Sequence, residues 1–429
     1  MGREAGKEYR GARRLRTVPI VFGTGVLLSS MAAPPLAAAA GESPAADRFN
    51  AGVEAYHRGA YREAERAFAG AVGDADLGAL AAFNLGRAAA ERGDWTAAAY
   101  WWALTAERAA TERLQGLAEE RLAEIDAAHS PGMVYTYAGA GYDSNLFLDD
   151  DASLADRGDA FGEVLAYGSW RAVGNRRDGL GLQGGVHHRG HASESDFDVT
   201  DVHAAVRRHK WMPGAWWEAA LGAGATDVGI DGIDRRGEAE LLARRPWPGR
   251  GWLEAGYRYT HHLGGGDRDY LDGTQHRLRI GYRDREADLR WSVHYELDYH
   301  DRDDRRGEDD AGEPFFVSYS PVVHSFRGRV SRRAGPEWEF TLRPEIARAH
   351  YADPHIAGGE SRRRRDTRLS LEADALHTPA GEPWGVGFRV RFERVESLRL
   401  TLPADATAEL DEYTAHRVEG LVYVEWLFQ

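Results

Sequence analysis

The feature that most constrains this chain is a strict two-residue alternation that fills its last 300 or so positions. Leu289, Trp291, Val293, Tyr295, Leu297 and Tyr299 are apolar, and Arg290, Ser292, His294, Glu296 and Asp298 lie between them. Trp384, Val386, Phe388, Val390 and Phe392 alternate with Gly385, Gly387, Arg389 and Arg391. Leu369, Leu371, Ala373 and Ala375 do the same with Ser370, Glu372 and Asp374, and Trp338, Phe340, Leu342 and Ile346 with Glu337, Glu339, Thr341 and Glu345. A strand sends odd and even residues to opposite faces, so each segment has one apolar and one polar face. A soluble β-sandwich also alternates. Here, however, the segments run to about ten residues or more, the length at which a tilted strand crosses a bilayer. Trp and Tyr sit near segment ends, and charge fills the polar face, as in a barrel with aromatic girdles and a wet lumen. No apolar run of about 20 residues follows the N-terminus, so no membrane helix is expected.

About fourteen such segments start near Val134, Glu163, Gly179, Val199, Trp216, Glu238, Trp252, Thr274, Leu289, Phe316, Glu337, Thr367, Trp384 and Ala415. An even number suits a bacterial barrel, and lipid offers no partner to an open edge, so the sheet must close. Tight links at Asn175–Arg177, Met212–Gly214, Pro246–Gly249, Asp284–Glu286, Ala334–Pro336 and Pro379–Pro383 alternate with long polar ones such as Asp143–Asp159, His300–Glu313 and Asp353–Asp366. Short turns belong on the periplasmic side and long loops outside. The first link is long, so the first strand runs outward and whatever precedes it is expected in the periplasm. The final segment sets Val422, Val424, Trp426 and Phe428 on one face. It resembles the closing strand by which outer-membrane proteins are targeted, with Trp426 and Phe428 as its signal to the barrel-assembly machinery and Gln429 as a small departure. Outer-membrane lipid and lipopolysaccharide are the expected surroundings.

On the polar face, Arg277, Arg279, Arg283, Arg343, Arg389 and Arg391 are expected to point into the lumen with Glu238, Glu240, Glu254, Glu296, Glu337, Glu339 and Glu372. Mixed signs predict ion pairs between strands. An exporter of anionic polymer would favour a single positive sign.

The N-terminal third reads differently. Arg13, Arg14 and Arg16, the apolar run Val18 to Leu28 and the small residues Ala37 to Ala40 form a secretory leader, with a membrane anchor as the rival reading. A period of 34 residues follows: Asn50 and Asn84, Gly52 and Gly86, Gly59 and Gly93, Tyr61 and Trp95, Ala64 and Ala98, Phe68 and Trp102. This is the tetratricopeptide spacing, two helix pairs, with a third amphipathic helix at about Glu112 to Ala127 as cap. The expected organisation is a leader over 1–40, an all-α repeat domain over 41–130 and a transmembrane antiparallel β-barrel over 131–429. A peptide-binding groove would use Asn50, Val53, His57, Asn84, Arg87 and Glu91; the alternative is a bare spacer.

Little points to chemistry. The chain has no cysteine, so disulfides, thiolate metal sites and a cysteine lipid anchor are excluded. A net charge of −14 argues against nucleic acid as a partner. His187, His188 and His191, or Asp143, Asn145 and Asp149 to Asp151, lack the spacing of a metal site and read as solvated segments. Arg362 to Arg365 form a basic loop that could meet lipopolysaccharide phosphates or simply be solvated. No nucleophile, paired-acid or phosphate-loop motif occurs, and neither catalysis nor a cofactor is expected.

Leader, helical repeats, then a barrel of about fourteen strands: this order resembles the surface lipoprotein assembly modifier family. The segment Gly141-Tyr142-Asp143-Ser144-Asn145 at the end of the first strand is similar to one found there in such proteins. The resemblance implies a translocon that moves lipoproteins or secreted proteins to the cell surface, with a seam between the first and last strands, about Val134–Tyr142 and Ala415–Phe428. An exopolysaccharide exporter and a passive porin with a docking module are the alternatives.

Overall fold

The computed structural model describes residues 43–128, 130–146, 157–212, 214–229, 232–265, 270–286, 288–308, 312–401 and 409–428. The leader expected over 1–40 lies outside them, as do Asp149 to Asp151.

Five helices come first: α1 (Pro44–His57), α2 (Tyr61–Ala69), α3 (Gly78–Glu91), α4 (Trp95–Arg108) and α5 (Glu112–Ala128). The 34-residue period is visible in their packing. A Cβ on Gly52 would stand 2.6 Å from the Phe68 ring, and one on Gly86 would stand 2.4 Å from Trp102. In each pair a glycine on the first helix admits the aromatic of the second. Gly59 and Gly93, also 34 apart, end α1 and the turn after α3 with φ of 75° and 71°, a region glycine enters without strain. Phe68, Leu85, Trp102 and Leu122 are buried in one core that runs from α2 to α5.

The barrel follows. Its strands are β1 (Gly132–Asp143), β2 (Asp159–Gly174), β3 (Asp178–His191), β4 (Val199–Met212), β5 (Ala215–Val228), β6 (Gly232–Trp247), β7 (Gly251–Leu263), β8 (Gly273–Glu286) and β9 (Leu289–Arg302). After two short strands, β10 (Arg305–Glu308) and β11 (Pro314–Val317), come β12 (Pro321–Ala334) and β13 (Trp338–Tyr351). Two more, β14 (His355–Ala357) and β15 (Glu360–Arg362), precede β16 (Arg365–His377), β17 (Trp384–Thr401) and β18 (Glu409–Phe428). Fourteen strands close into an antiparallel meander in which β1 pairs with β18 from Val134↔Phe428 to Asp143↔Glu419. The short strands β10, β11, β14 and β15 form a separate sheet built from two long loops, at the end of the barrel away from the tight turns.

Several boundaries differ from the sequence reading, among them the starts of β2 at Asp159, four residues before Glu163, and of β6 at Gly232, six before Glu238. The tenth barrel strand starts at Pro321, not Phe316, because Phe316 belongs to the loop sheet, where it pairs with Arg306 and Ile356. The turn read at Asp284–Glu286 comes after those residues, since Asp284 to Glu286 continue the β8 ladder to β9. The last strand starts at Glu409, six residues before Ala415, because β17 and β18 extend their pairing to Thr401↔Glu409.

The outward face is apolar all round. Leu221, Ile280 and Phe388 are 69%, 65% and 52% exposed, and Val186, Phe326 and Val422 join them. A band of large aliphatic and aromatic side chains that encircles the molecule requires a lipid surround. Trp426 and Phe428 lie near the tight-turn rim of this face, where Trp426 pairs with Thr136 and Trp384 and Phe428 with Val134. Leu221→Arg, halfway along β5, is therefore expected to destabilise the folded barrel by about 2–4 kcal/mol in urea titrations from lipid vesicles. A change of a few tenths of that would mean the side chain does not face lipid.

Candidate functional site

The tight-turn end of the barrel carries the helices, and named contacts hold them there. Arg62 on α2 donates from Nη1 and Nη2 to the two carboxylate oxygens of Asp284, both at 3.0 Å, and from Nη2 to the Arg285 carbonyl at 2.6 Å. Arg92, beyond α3, donates to Glu65 at 2.7 Å and to the Arg285 carbonyl at 2.9 Å. The Gly249 amide in the β6–β7 turn donates to the same Glu65 oxygen at 2.7 Å. Asp94 caps α4 by accepting from the Ala97 amide, and its other oxygen accepts from the indole of buried Trp252 on β7 at 3.1 Å. Farther along α4, Tyr100 packs on Trp211 of β4 with ring centroids 5.4 Å apart, and Asp126 of α5 lies 3.5 Å from Arg171 of β2. The helices thus touch strands from β2 round to β8, and α4 bridges from β7 to β4 across the mouth.

Glu65 is the stressed member of this interface. Only 4% exposed, it leaves Oε1 without a hydrogen-bond partner among the described residues. Burial lifts its pKa above the usual glutamate value, with the Arg92 charge pulling the other way. A raised acid pKa in the docked state favours docking at low pH, with the gain lost as pH rises through that pKa. The helices are thus expected to be better protected from protease at pH 4.5 than at pH 7.5, and Glu65→Gln should flatten the profile.

The six groove candidates do not act together. Arg87 and Glu91 line a cavity of about 610 Å³ between α3, α4 and α5, with Tyr56, Phe83, Trp95 and Arg121. Arg87 stacks on the Tyr56 ring at 4.6 Å, Tyr56 donates to Glu91 at 3.1 Å, and Asn84 accepts from Arg87 at 3.3 Å. Val53 packs on the helical core, and Asn50 and His57 are exposed on α1 outside the cavity lining. Tyr56 and the α5 residues were not read from the sequence; Tyr56 is simply the residue beside His57 on the same helix.

Within the barrel the polar registers pair as ladders of opposite charge. Arg277 meets Asp298 at 2.6 Å, Arg279 meets Glu296 at 3.7 Å, and Glu296 also takes Arg327 at 2.8 Å. Glu372 binds Arg343 and, at 3.5 Å, Arg389, which also reaches Asp374 at 3.2 Å; Arg391 stands 3.5 Å from Glu393. Arg283 is 3.3 Å from Glu254, and Glu238 and Glu240 hold Arg236 and Arg258. Glu337 departs from the expected lumen set, because it lies in the turn before β13 and pairs with His377 at 3.2 Å.

The Gly-Tyr-Asp-Ser-Asn segment extends the seam past the last β1 pair. Ser144 donates its amide to the Val418 carbonyl and its hydroxyl accepts from the Val418 amide; the Asn145 side chain donates to the His416 carbonyl. Buried Asp143 accepts from the Asn145 amide and lies 3.5 Å from Arg417. A Cβ at Gly141 would stand 2.3 Å from the Gly420 carbonyl, so the approach of β1 to β18 needs glycine there. The three histidines diverge: His187 meets Glu163 at 3.3 Å, His188 meets Thr200 at 2.9 Å, and His191 is 3.4 Å from Asp198. Among the described residues no group of three or more metal-ligating side chains converges.

No protein-family model and no curated protein matches the chain by sequence. Solved outer-membrane structures are similar to it in shape alone. The outer membrane channel DcaP of Acinetobacter baumannii is 12% identical, over 69% of this chain and 96% of that one, at a TM-score of 0.37. An anion-selective porin from Comamonas acidovorans is 8% identical over 69% and 98%, also at 0.37. OccAB3 of Acinetobacter baumannii is 11% identical over 69% and 99%, at 0.35. At such scores the barrel's own surface, not these neighbours, has to place it in a membrane.

Proposed function

We propose that the protein is an outer-membrane barrel whose helices stand on the periplasmic side and hand cargo to it, and that this cargo is a lipoprotein or secreted protein destined for the cell surface. The observation that carries this reading is the helical layer itself: fastened to the tight-turn rim by Arg62, Arg92, Glu65 and Asp94, it covers part of the mouth and presents an aromatic, charged cavity beside it. Tight turns face the periplasm in barrels of this kind. A porin with a freely wetted lumen has no need of a layer held over its entrance. On this reading the 34-residue helix pairs are tetratricopeptide repeats, the leader over 1–40 exports the chain, and the partners are outer-membrane lipid and lipopolysaccharide, the cargo and the barrel-assembly machinery that reads Trp426 and Phe428.

Protease accessibility of lipoproteins on intact cells, with and without this protein, tests the reading. Loss of display in its absence is expected; unchanged display of every lipoprotein would end it. The seam adds a second arm. Ala140 and Val422 are register partners across β1 and β18, so cysteines at both positions can lock the wall shut. Display that survives the lock means cargo does not leave through an opened seam.

The charge ladders favour one other reading, a conduit for small solutes, because a pore lined by paired ions stays hydrated. Steady single-channel conductance from the purified barrel, with no display defect in cells, would select it.

A further inference from the structure

Between the N-terminal turn of α4 and the inner wall of the barrel lies a cavity of about 490 Å³. Five arginines line it, Arg176, Arg283, Arg285, Arg290 and Arg329, against two acids, Asp94 and Asp284. Neither acid is available to balance them. Asp94 is spent on the Ala97 amide and the Trp252 indole, and Asp284 on both terminal nitrogens of Arg62. Arg283 and Arg290 have partners of their own in Glu254 and Glu339. Arg176, Arg285 and Arg329 have none: among the described residues no carboxylate comes within the 4.0 Å of an ion pair for these guanidiniums, and Arg285 reaches only the Gly93 carbonyl, at 3.5 Å. Arg329 donates to the Ser331 hydroxyl at 3.2 Å, with Glu339 and Asp374 farther off. Arg176 sits in the β2–β3 turn, where burial and then the neighbouring cation Arg171 depress its pKa against the pull of Asp126, whose carboxylate accepts from the Arg176 amide at 3.3 Å. Everywhere else along the lumen the arginines named above sit in ladders with acids. Here alone among those sets, guanidiniums from a turn and from two separate strands face one cavity with no ion pair of their own.

Trp95 and Thr96, the first two residues of α4, close the same cavity from above. The positive end of a fourteen-residue helix therefore adds to the arginines. Planar guanidiniums with free N–H edges match a multi-oxygen anion better than a chloride.

We propose that this vestibule binds a phosphate-class oxyanion, either free or as a phosphomonoester on a larger molecule, with Arg176 and Arg329 as its principal ligands. The site rests on the reading of helices that hand cargo to the barrel and deepens it: an anion held there bridges the helical layer and the wall, beside α4.

The test is calorimetry on the full purified chain in detergent, titrated at constant ionic strength with inorganic phosphate in one arm and glycerol 1-phosphate in the other. Saturable binding is expected, weakened about tenfold or more in Arg176→Gln and in Arg329→Gln, as the loss of one charge-assisted contact predicts. The better ligand of the two shows whether the anion arrives free or carried. Neither arginine holds an ion pair, so both variants should keep the heat-modifiable gel mobility of the folded barrel, which confirms folding before titration. No saturable binding of either probe to the wild-type chain, or equal binding by wild type and both variants, overturns the proposal. Because the readout is binding by the isolated protein, a failure of cargo display in cells leaves it standing, and its own failure leaves the display reading standing.

Discussion

Asp284→Ala is expected to release the helices from the barrel while leaving the barrel folded. Asp284 is 9% exposed at its side chain, accepts two hydrogen bonds from Arg62 and lies 3.9 Å from Arg92. Its removal takes from Arg62 both charge-assisted acceptors and leaves it Glu286 at 3.7 Å, while Arg92 keeps Glu65. Breaking one side of a buried pair costs about 3–5 kcal/mol, and the lower end applies here because Arg62 keeps 24% of its side chain in water. About 3 kcal/mol raises the undocked population roughly a hundredfold. The β8–β9 ladder around Asp284 is made by backbone groups, so the barrel itself should hold. The readout is limited proteolysis of the folded chain in detergent: cleavage within residues 44–128 should accelerate by about that factor when opening is fast relative to cutting, while the barrel band persists. Acceleration below about threefold would show that Trp252, Tyr100 and Glu65 hold the helices without it. If the helices gate the mouth, the same variant should conduct ions more often than wild type.

How far the chain could be read in advance follows from the length scale of each signal. Strands of thirteen or more residues repeat their alternation often enough to be counted, and β4, β9 and β17 start where the sequence puts them, while β6, β12 and β18 start five or six positions away. The loop sheet was missed because β10, β11, β14 and β15 are three or four residues each, too short to show a period, and the run Phe315-Phe316-Val317 imitates the start of a barrel strand. Parity alone assigns a face to the arginines and glutamates within a strand, and it has no hold on Glu337, which lies in a turn. Their exact partners were not legible: Glu296 lies opposite Arg279 and also takes Arg327 from the strand on its other side, a fact of register and side-chain reach. The docking contacts were invisible for a plainer reason. Arg62 and Asp284 are 222 positions apart, and neither belongs to any periodic pattern. The same holds for the vestibule, where Arg176 comes from a turn near one end of the barrel sequence and Arg329 from a strand more than halfway along it.

The second large effect is expected at Glu393. This carboxylate is fully buried on the inner face of β17 and faces three arginines, Arg368, Arg391 and Arg417, one each from β16, β17 and β18. It is the anion that lets three cations share one patch of the wall beside the seam. With alanine there, Arg368 and Arg391 lose their only carboxylate among the described ion pairs and Arg417 keeps Asp143 alone. Desolvated like charges then repel at short range, and a loss of about 3–5 kcal/mol in unfolding free energy is expected, read from the urea midpoint in lipid vesicles. Arg391→Gln provides the contrast. It removes one of three cations from a carboxylate that keeps two, at a side chain already 32% exposed, and should cost no more than about 1 kcal/mol. Equal effects of the two changes would mean that Glu393 is one ordinary pair among many. The consequence for the seam follows from Arg417, which joins Glu393 to Asp143 and so to the turn that tucks β1 onto β18. Glu393→Ala should therefore speed amide exchange at Ser144 and Val418 before it affects the middle of the β1–β18 ladder, and a barrel that opens laterally should open from that end first.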